Sequence, residues 1–265
     1  MGDTTDPDVR KRLLEMWDRH FESQELPITF EMRDSDAVAT NTPVPKGQGC
    51  LIGQLGAVRN GETRVFDETT FPCEMGKFFL GGYPSSLTPE FVVHYLTCGI
   101  PGKMKGLRNR STPEIIRKGL TISSPLPLEG KKIVFKRWDK LTREDTPDVV
   151  IFYARPEALS GLLMLANFDQ VDPNAVICPC VTGCSAIIKV PWQEQQKENP
   201  KSVLGMFDIS ARPFVATDIL TMAIPMKKIA KILDYTEESF LVTEKWDNQK
   251  NRIHRSMPAP GEEYL

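Results

Sequence analysis

The chain has 265 residues, which allows one large domain or two packed halves, since length divided by ~150 is only a soft guide. Apolar residues make up 40% and charged residues 26%, so a disordered chain is excluded and a sizeable core is expected. With 33 Lys plus Arg against 35 Asp plus Glu, the net charge is -2 and gives no electrostatic reason to bind nucleic acid.

The longest unbroken apolar run, Val149 to Ala154, falls far short of the ~20 residues of a membrane-spanning helix, so no membrane partner is expected. The opening residues, Met1 to Asp8, carry neither the basic start nor the apolar stretch of a secretory signal. Six cysteines then fit a reducing cytoplasm, as thiols or metal ligands, better than a disulfide framework.

In chain order, Asp8 to Glu22 reads as a helix, with Leu13, Leu14, Trp17 and Phe21 at helical spacing, and residues 1–24 are expected to pack on the module that follows. Leu26 to Met32 reads as a strand, Gly49 to Arg59 as an apolar helix closed by Asn60-Gly61, and Thr63 to Phe66 as a strand leading to Cys73. Pro89 to Cys98 suggests a helix. Thr112-Pro113-Glu114 starts another over Glu114 to Lys118, the Thr112 hydroxyl capping its first amides. Strands follow at Ile133 to Trp138 and Val149 to Tyr153, the second apolar throughout, as in a strand buried on both faces. A helix over Ala158 to Phe168, strands at Ala175 to Val181, Val203 to Phe207 and Leu220 to Ile224, and helices at Met226 to Asp234 and Glu237 to Lys245 complete the module. Residues 257–265 read as a disordered tail. The mixture without a long βαβ rhythm predicts an α+β fold, a mixed or antiparallel sheet with packed helices.

At a spacing of 107 residues, Ile52 aligns with Leu159, Leu55 with Leu162, Asn60 with Asn167, Cys73 with Cys180 and Gly76 with Gly183. Chance matching of common residues is one reading; the other is an internal repeat in residues 25–256, with halves near 25–130 and 131–256. A pseudo-twofold axis between such halves would bring Cys73 and Cys180 together.

Cys178-Pro179-Cys180-Val181-Thr182-Gly183-Cys184 is the densest chemical feature. On a continuing strand, Cys178 and Cys180 share a face with Cα atoms about 6.5–7 Å apart, at the limit for a disulfide. Gly183 can turn the chain so that Cys184 approaches Cys180. Crowded thiolates need a cation and soft cations favour thiolates, which points to zinc or iron–sulfur, although the spacing matches no standard ligand signature. Small buried packing residues are the competing reading.

Gly49-Cys50-Leu51, Gly56 through Glu62, Cys73-Glu74-Met75-Gly76 and Leu80-Gly81 resemble the uncharacterised ArCR family of bacteria and archaea. Pro147 through Phe152, Ala166-Asn167, Gly183-Cys184-Ser185, Gly205 through Pro213, Ile224-Pro225 and Glu238 through Leu241 extend the resemblance over about residues 25–245. No activity comes with the family. The resemblance implies one recurring module whose cysteines, matched at Cys50, Cys73 and Cys184, sit in apolar or glycine-rich turns and build a site from three distant segments. Cys98, Cys178 and Cys180 are more peculiar to this chain.

Lys103, Lys105, Arg108, Arg110, Arg117 and Lys118 fall within sixteen residues that hold one acid, Glu114. They read either as a solvated loop or, with the helix start at Pro113, as an anion site. Arg212, in a small-residue turn, could clamp a carboxylate, balance a thiolate cluster, or pair with Asp208 or Asp218. His94 and Cys98, one helical turn apart, could share a face. No glycine-rich nucleotide loop, serine elbow or zincin pair is present, so no nucleotide cofactor is indicated.

Two functions stay open, beside a non-catalytic accessory role marked only by the absence of a recognised catalytic set. One is a metal or iron–sulfur module whose Cys50, Cys73, Cys180 and Cys184 converge, with Arg212 as a nearby cation. The other is an enzyme or sensor with a reactive cysteine in a cleft between the halves, binding a small anionic ligand through Arg212, Gly76, Gly183, Lys103 and Lys105.

Overall fold

The structure, a computed structural model, describes residues 7–22, 24–37 and 49–253; the tail expected from 257 lies outside them. Among the described residues, seven strands form one sheet: β1 (Ile28–Asp34), β2 (Arg64–Phe66), β5 (Lys131–Arg137), β6 (Val149–Ala154), β7 (Val176–Ile177), β8 (Ser202–Gly205) and β9 (Leu220–Pro225). A two-stranded hairpin adds β3 (Gly99–Ile100) and β4 (Met104–Lys105). The spatial order is β2-β5-β1-β6-β9-β8-β7, antiparallel throughout except for β7 beside β8. The fold is therefore α+β with a mixed sheet, as the alternation of elements predicts.

The centre of the sheet is β6, buried at all six positions and paired with β1 on one side and β9 on the other. Because side chains alternate, Val149, Ile151 and Tyr153 enter one core while Val150, Phe152 and Ala154 enter the other. The second core is roofed by α1 (Pro7–His20), α6 (Pro156–Asn167), α8 (Met226–Asp234) and α9 (Glu244–Ile253). Trp17 stacks on Phe21 and touches Phe152 there, each large side chain contributing about 1.5–3 kcal/mol by burial. The first core lies under α2 (Leu51–Arg59), α3 (Glu74–Leu80) and a helical run from Gly183, comprising a π turn, Ser185–Lys189, and α7 (Val190–Gln195). An arm of α4 (Pro89–Leu96), the β3–β4 hairpin and α5 (Pro113–Thr121) completes the chain.

Several expected elements shift. The strand expected to Val181 ends at Ile177, so Cys178 and Cys180 lie in an exposed loop and share no strand face. Thr112 precedes α5, but its hydroxyl bonds the Glu114 carboxylate and caps no amide. The helix expected over Glu237 to Lys245 is a short 3-10 turn, Phe240–Val242, followed by α9. The internal repeat finds no support: α2 and α6, its best-matched helices, cover opposite faces of the sheet, and β5 of the second half lies between two strands of the first.

Two aspartates beside β6 set opposite pH responses. Asp145 is fully buried, yet Lys136 Nζ (2.7 Å), Arg33 Nη2 (2.6 Å) and the Thr142 amide and hydroxyl all donate to it. Burial raises its pKa, but the bonds from Lys136 and Thr142 outweigh that and hold it below the ordinary value. Asp148 accepts one amide bond, from Met32 (2.9 Å), too little to offset desolvation, so its carboxyl is pushed up to about 6.

The signs follow by linkage. Asp145, with a depressed folded pKa, stabilises at neutral pH and loses that contribution as pH falls below the unfolded value of ~4. Asp145→Asn should therefore cost about 2–4 kcal/mol at pH 7, shrinking toward pH 3, in urea unfolding at the two pH values. For Asp148 the folded pKa is raised, so stability is lost as pH rises from ~4 to 6. Asp148→Asn, which keeps the acceptor for Met32, should stabilise the protein by about 2 kcal/mol at pH 8 and change little at pH 3.

Candidate functional site

Three cysteines stand in the first turns of three helices on the first-core face. Cys50 is the extended residue before α2, with no capping bond through its side chain. Cys73 holds the same position before α3, and its Sγ accepts the Gly76 amide at 3.3 Å. Cys184 is the second residue of the run from Gly183, whose start is capped by Thr182 Oγ1 accepting the Ser185 amide. The three starts touch. A Cβ on Gly183 would stand 2.9 Å from Ala211 Cβ and 3.3 Å from Ile52 of α2, so only glycine fits, and Gly49 faces the Pro72 carbonyl. The conformation of Gly183 is fixed by its amide, which donates to Asp208 Oδ2 at 2.9 Å.

Burial dominates the thiols' electrostatics. It pushes Cys184 well above the ordinary thiol value, with Cys73, Cys50 and Asp208 adding to the rise. Burial also raises Cys73, offset in part by the Gly76 amide and reinforced by Cys50. Cys73 and Cys184 thus favour the neutral S–H form unless a cation or partner ionises them.

Beneath them lies Tyr153 of β6, which the sequence reading passed over. Its hydroxyl is buried and makes no hydrogen bond, an open donor in an interior where such groups are normally paired. Burial raises this phenol, the Arg59 guanidinium 4.6 Å above its ring opposes the rise, and Cys184 and Cys50 add to it. Arg59 is oriented by Glu25 through Nε at 2.7 Å. The readable signal is a polar aromatic on a strand face otherwise made of the aliphatic Val149 and Ile151.

The remaining expected residues are elsewhere or otherwise engaged. Cys180 is exposed, its carbonyl accepting Arg110 Nη2 at 2.6 Å. Among the described residues, no three His, Cys, Asp or Glu side chains stand close enough to hold a metal ion. Arg212 donates to the carbonyls of Ile219 (2.6 Å), Ala216 (2.8 Å) and Thr217 (2.9 Å), which fastens its own loop. That loop begins at Met206, a buried non-glycine residue with φ 70, and continues through Asp208, the clamp on Gly183. Lys103 and Lys105 belong to the β3–β4 hairpin region and are exposed. Gly76 stands in the first turn of α3, against the Phe71 ring. His94 faces Glu90 (3.7 Å), while the exposed Cys98 donates to the Gly99 carbonyl.

Residues 20–234 match the sequence profile of the uncharacterised ArCR family, a domain of unknown function. The chain belongs to this family. No curated protein and no solved structure matches it. The ArCR match spans all three cysteine-bearing helix starts and both Tyr153 and Asp208. Among the described residues, no helix is long and apolar enough to cross a membrane.

Thiol accessibility tests this arrangement. With iodoacetamide on the native protein, mass spectrometry should find Cys98, Cys178 and Cys180 labelled first and Cys184 last, slower by about tenfold or more. Labelling of Cys184 at the rate of Cys180 would contradict its burial.

Proposed function

We propose that Cys50, Cys73 and Cys184 form a three-thiolate site for an iron–sulfur cluster. The observation that carries this reading is that three helix starts bearing Cys50, Cys73 and Cys184, supplied by segments far apart in the chain, pack on one core. Among the described residues no three His, Cys, Asp or Glu side chains stand close enough to hold a metal ion, which weighs against a single zinc with its bonds of about 2.3 Å. A cluster carries its ligands on a wider frame, and its irons supply the charge that buried thiols need in order to ionise. Bound there, it would supply electron transfer or Lewis acidity; the chain's part is to bury the thiolates, orient them with the three helix starts, and offer the Tyr153 hydroxyl as an unpaired donor.

Arg212 is not needed as the balancing cation on this reading, since three of its five donors are taken by carbonyls of its own loop. A reactive-cysteine enzyme or sensor is the second reading. The unpaired Tyr153 hydroxyl favours it, because a bound ligand could accept that bond; the upward push on Cys73 and Cys184 weighs against it, because the nucleophile is the thiolate.

Protein made under iron-replete, anaerobic conditions should be brown, with iron and sulfide in stoichiometric amounts. Cys50→Ser, Cys73→Ser and Cys184→Ser should each remove most of the colour, and a Cys178→Ser/Cys180→Ser double variant should keep it. The proposal fails if anaerobic reconstitution leaves the protein colourless, or if the colour survives loss of any one of the three.

A further inference from the structure

We propose that a cavity between α3 and the α4–α5 arm binds a small apolar carboxylic acid, with Lys189 as the cation that receives its carboxylate. The cavity measures about 240 Å³, opens to solvent, and is lined by Phe78, Pro89, Leu120, Ser123, Pro125 and Lys189 together with Gly81. That volume lies below the ~300–1,000 Å³ of sites for drug-sized ligands, so the occupant is small. Four of these walls are apolar, and the charge comes from one side chain.

Lys189 is 6% exposed, which is unusual for a lysine. Its ammonium donates to the Phe79 carbonyl (2.7 Å) and to Ser123 Oγ (2.8 Å), which leaves one of its three donors. Among the described residues no carboxylate lies within ion-pair distance of it, so a positive charge is held in the interior by neutral acceptors alone. Burial accordingly pulls its pKa down, with no acid to oppose the fall. Buried charges are ordinarily paired, and a carboxylate from outside would supply the missing partner.

The backbone delivers Lys189 to this place by a local irregularity. Lys189 closes the π turn Ser185–Lys189, and Pro191 follows within the same helical run. Proline has no amide to donate and crowds the carbonyl four residues back, so the run widens by one residue per turn. Such turns recur at functional sites because they re-aim a side chain without ending the helix. The cavity's residues are separate from the cysteine cluster, so this inference stands or falls independently of the proposed metal function.

Calorimetric titration of the full chain with benzoate and with hexanoate tests it. Saturable binding is expected for both, with each displacing the other, and at least tenfold weaker binding for benzamide, hexanamide and inorganic phosphate. Lys189→Met should weaken benzoate at least tenfold. Leu120→Trp, which fills the cavity and leaves the Lys189 bonds intact, should do the same, with circular-dichroism melting confirming a folded protein. If Lys189→Met does not fold, Leu120→Trp decides. The proposal is overturned by no saturable binding at millimolar carboxylate, by neutral amides binding as well as acids, by phosphate binding as well as benzoate, or by a folded variant that binds benzoate unchanged.

Discussion

The two-sided burial of β6 governs the rest of the molecule. A strand that lies in the middle of a sheet with both faces covered has no polar surface to offer, and Val149 to Ala154 meets that condition with six consecutive buried side chains. Its period of two then assigns every helix to a side. The helices near the chain ends, α1, α8 and α9, join α6 over Val150, Phe152 and Ala154. The helices that carry cysteines at their starts cover Val149, Ile151 and Tyr153. A shift of one residue in the pairing of β6 with β9 would turn Tyr153 into the other core and take its hydroxyl away from the thiols.

On the cysteine face, position is set by small residues and by one carboxylate. Gly183 allows its helix start to rest against Ile52 and Ala211, where any Cβ would collide. Asp208 holds the Gly183 amide with Oδ2 and the Ser210 amide with Oδ1, so a single side chain ties the Cys184 turn to the following loop. Arg212 secures that loop from its other end through three carbonyls. The segment Gly205 to Pro213 thus supports the Cys184 turn through Asp208, whose carboxylate also adds to the rise at that thiol.

Much of the architecture was legible because it rests on local pattern. The apolar run of β6 announced a doubly buried strand, and Met226 to Asp234 was bounded correctly because apolar residues recur at helical spacing after a proline. The helix after Cys50 was legible over Gly49 to Arg59, whereas those that carry Cys73 and Cys184 were harder. In α3, glycine sits in the first turn and the helix has only seven residues, so helical spacing has little length in which to show. Around Lys189, Pro191 reads as a breaker, whereas the π turn absorbs it and the helix continues to Gln195. Cys180 was placed with Cys184 on sequence proximity, but the strand ends at Ile177 and leaves the intervening loop exposed. Tyr153 was hidden because the strand pattern records that a residue points inward and is silent on whether a hydroxyl there finds a partner.

The energetics of the thiols decide what the cluster of cysteines can be on its own. A helix start favours a nearby anion by about 0.3–1 kcal/mol, and by up to ~2 kcal/mol in partly buried geometry. Removing an anion from water into the interior costs several kcal/mol, and two neighbouring thiolates add their mutual repulsion. The amide that Gly76 donates to Cys73 Sγ therefore reduces the cost of ionisation without overcoming it, and burial leads the causes at both Cys73 and Cys184. A group that brings several positive charges reverses that balance, since each thiolate then gains a partner and the helix starts act in the same direction. Cys73 and Cys184 are consequently poor free nucleophiles, and the same reasoning with the signs exchanged applies at Lys189, where burial disfavours a cation held by two neutral acceptors.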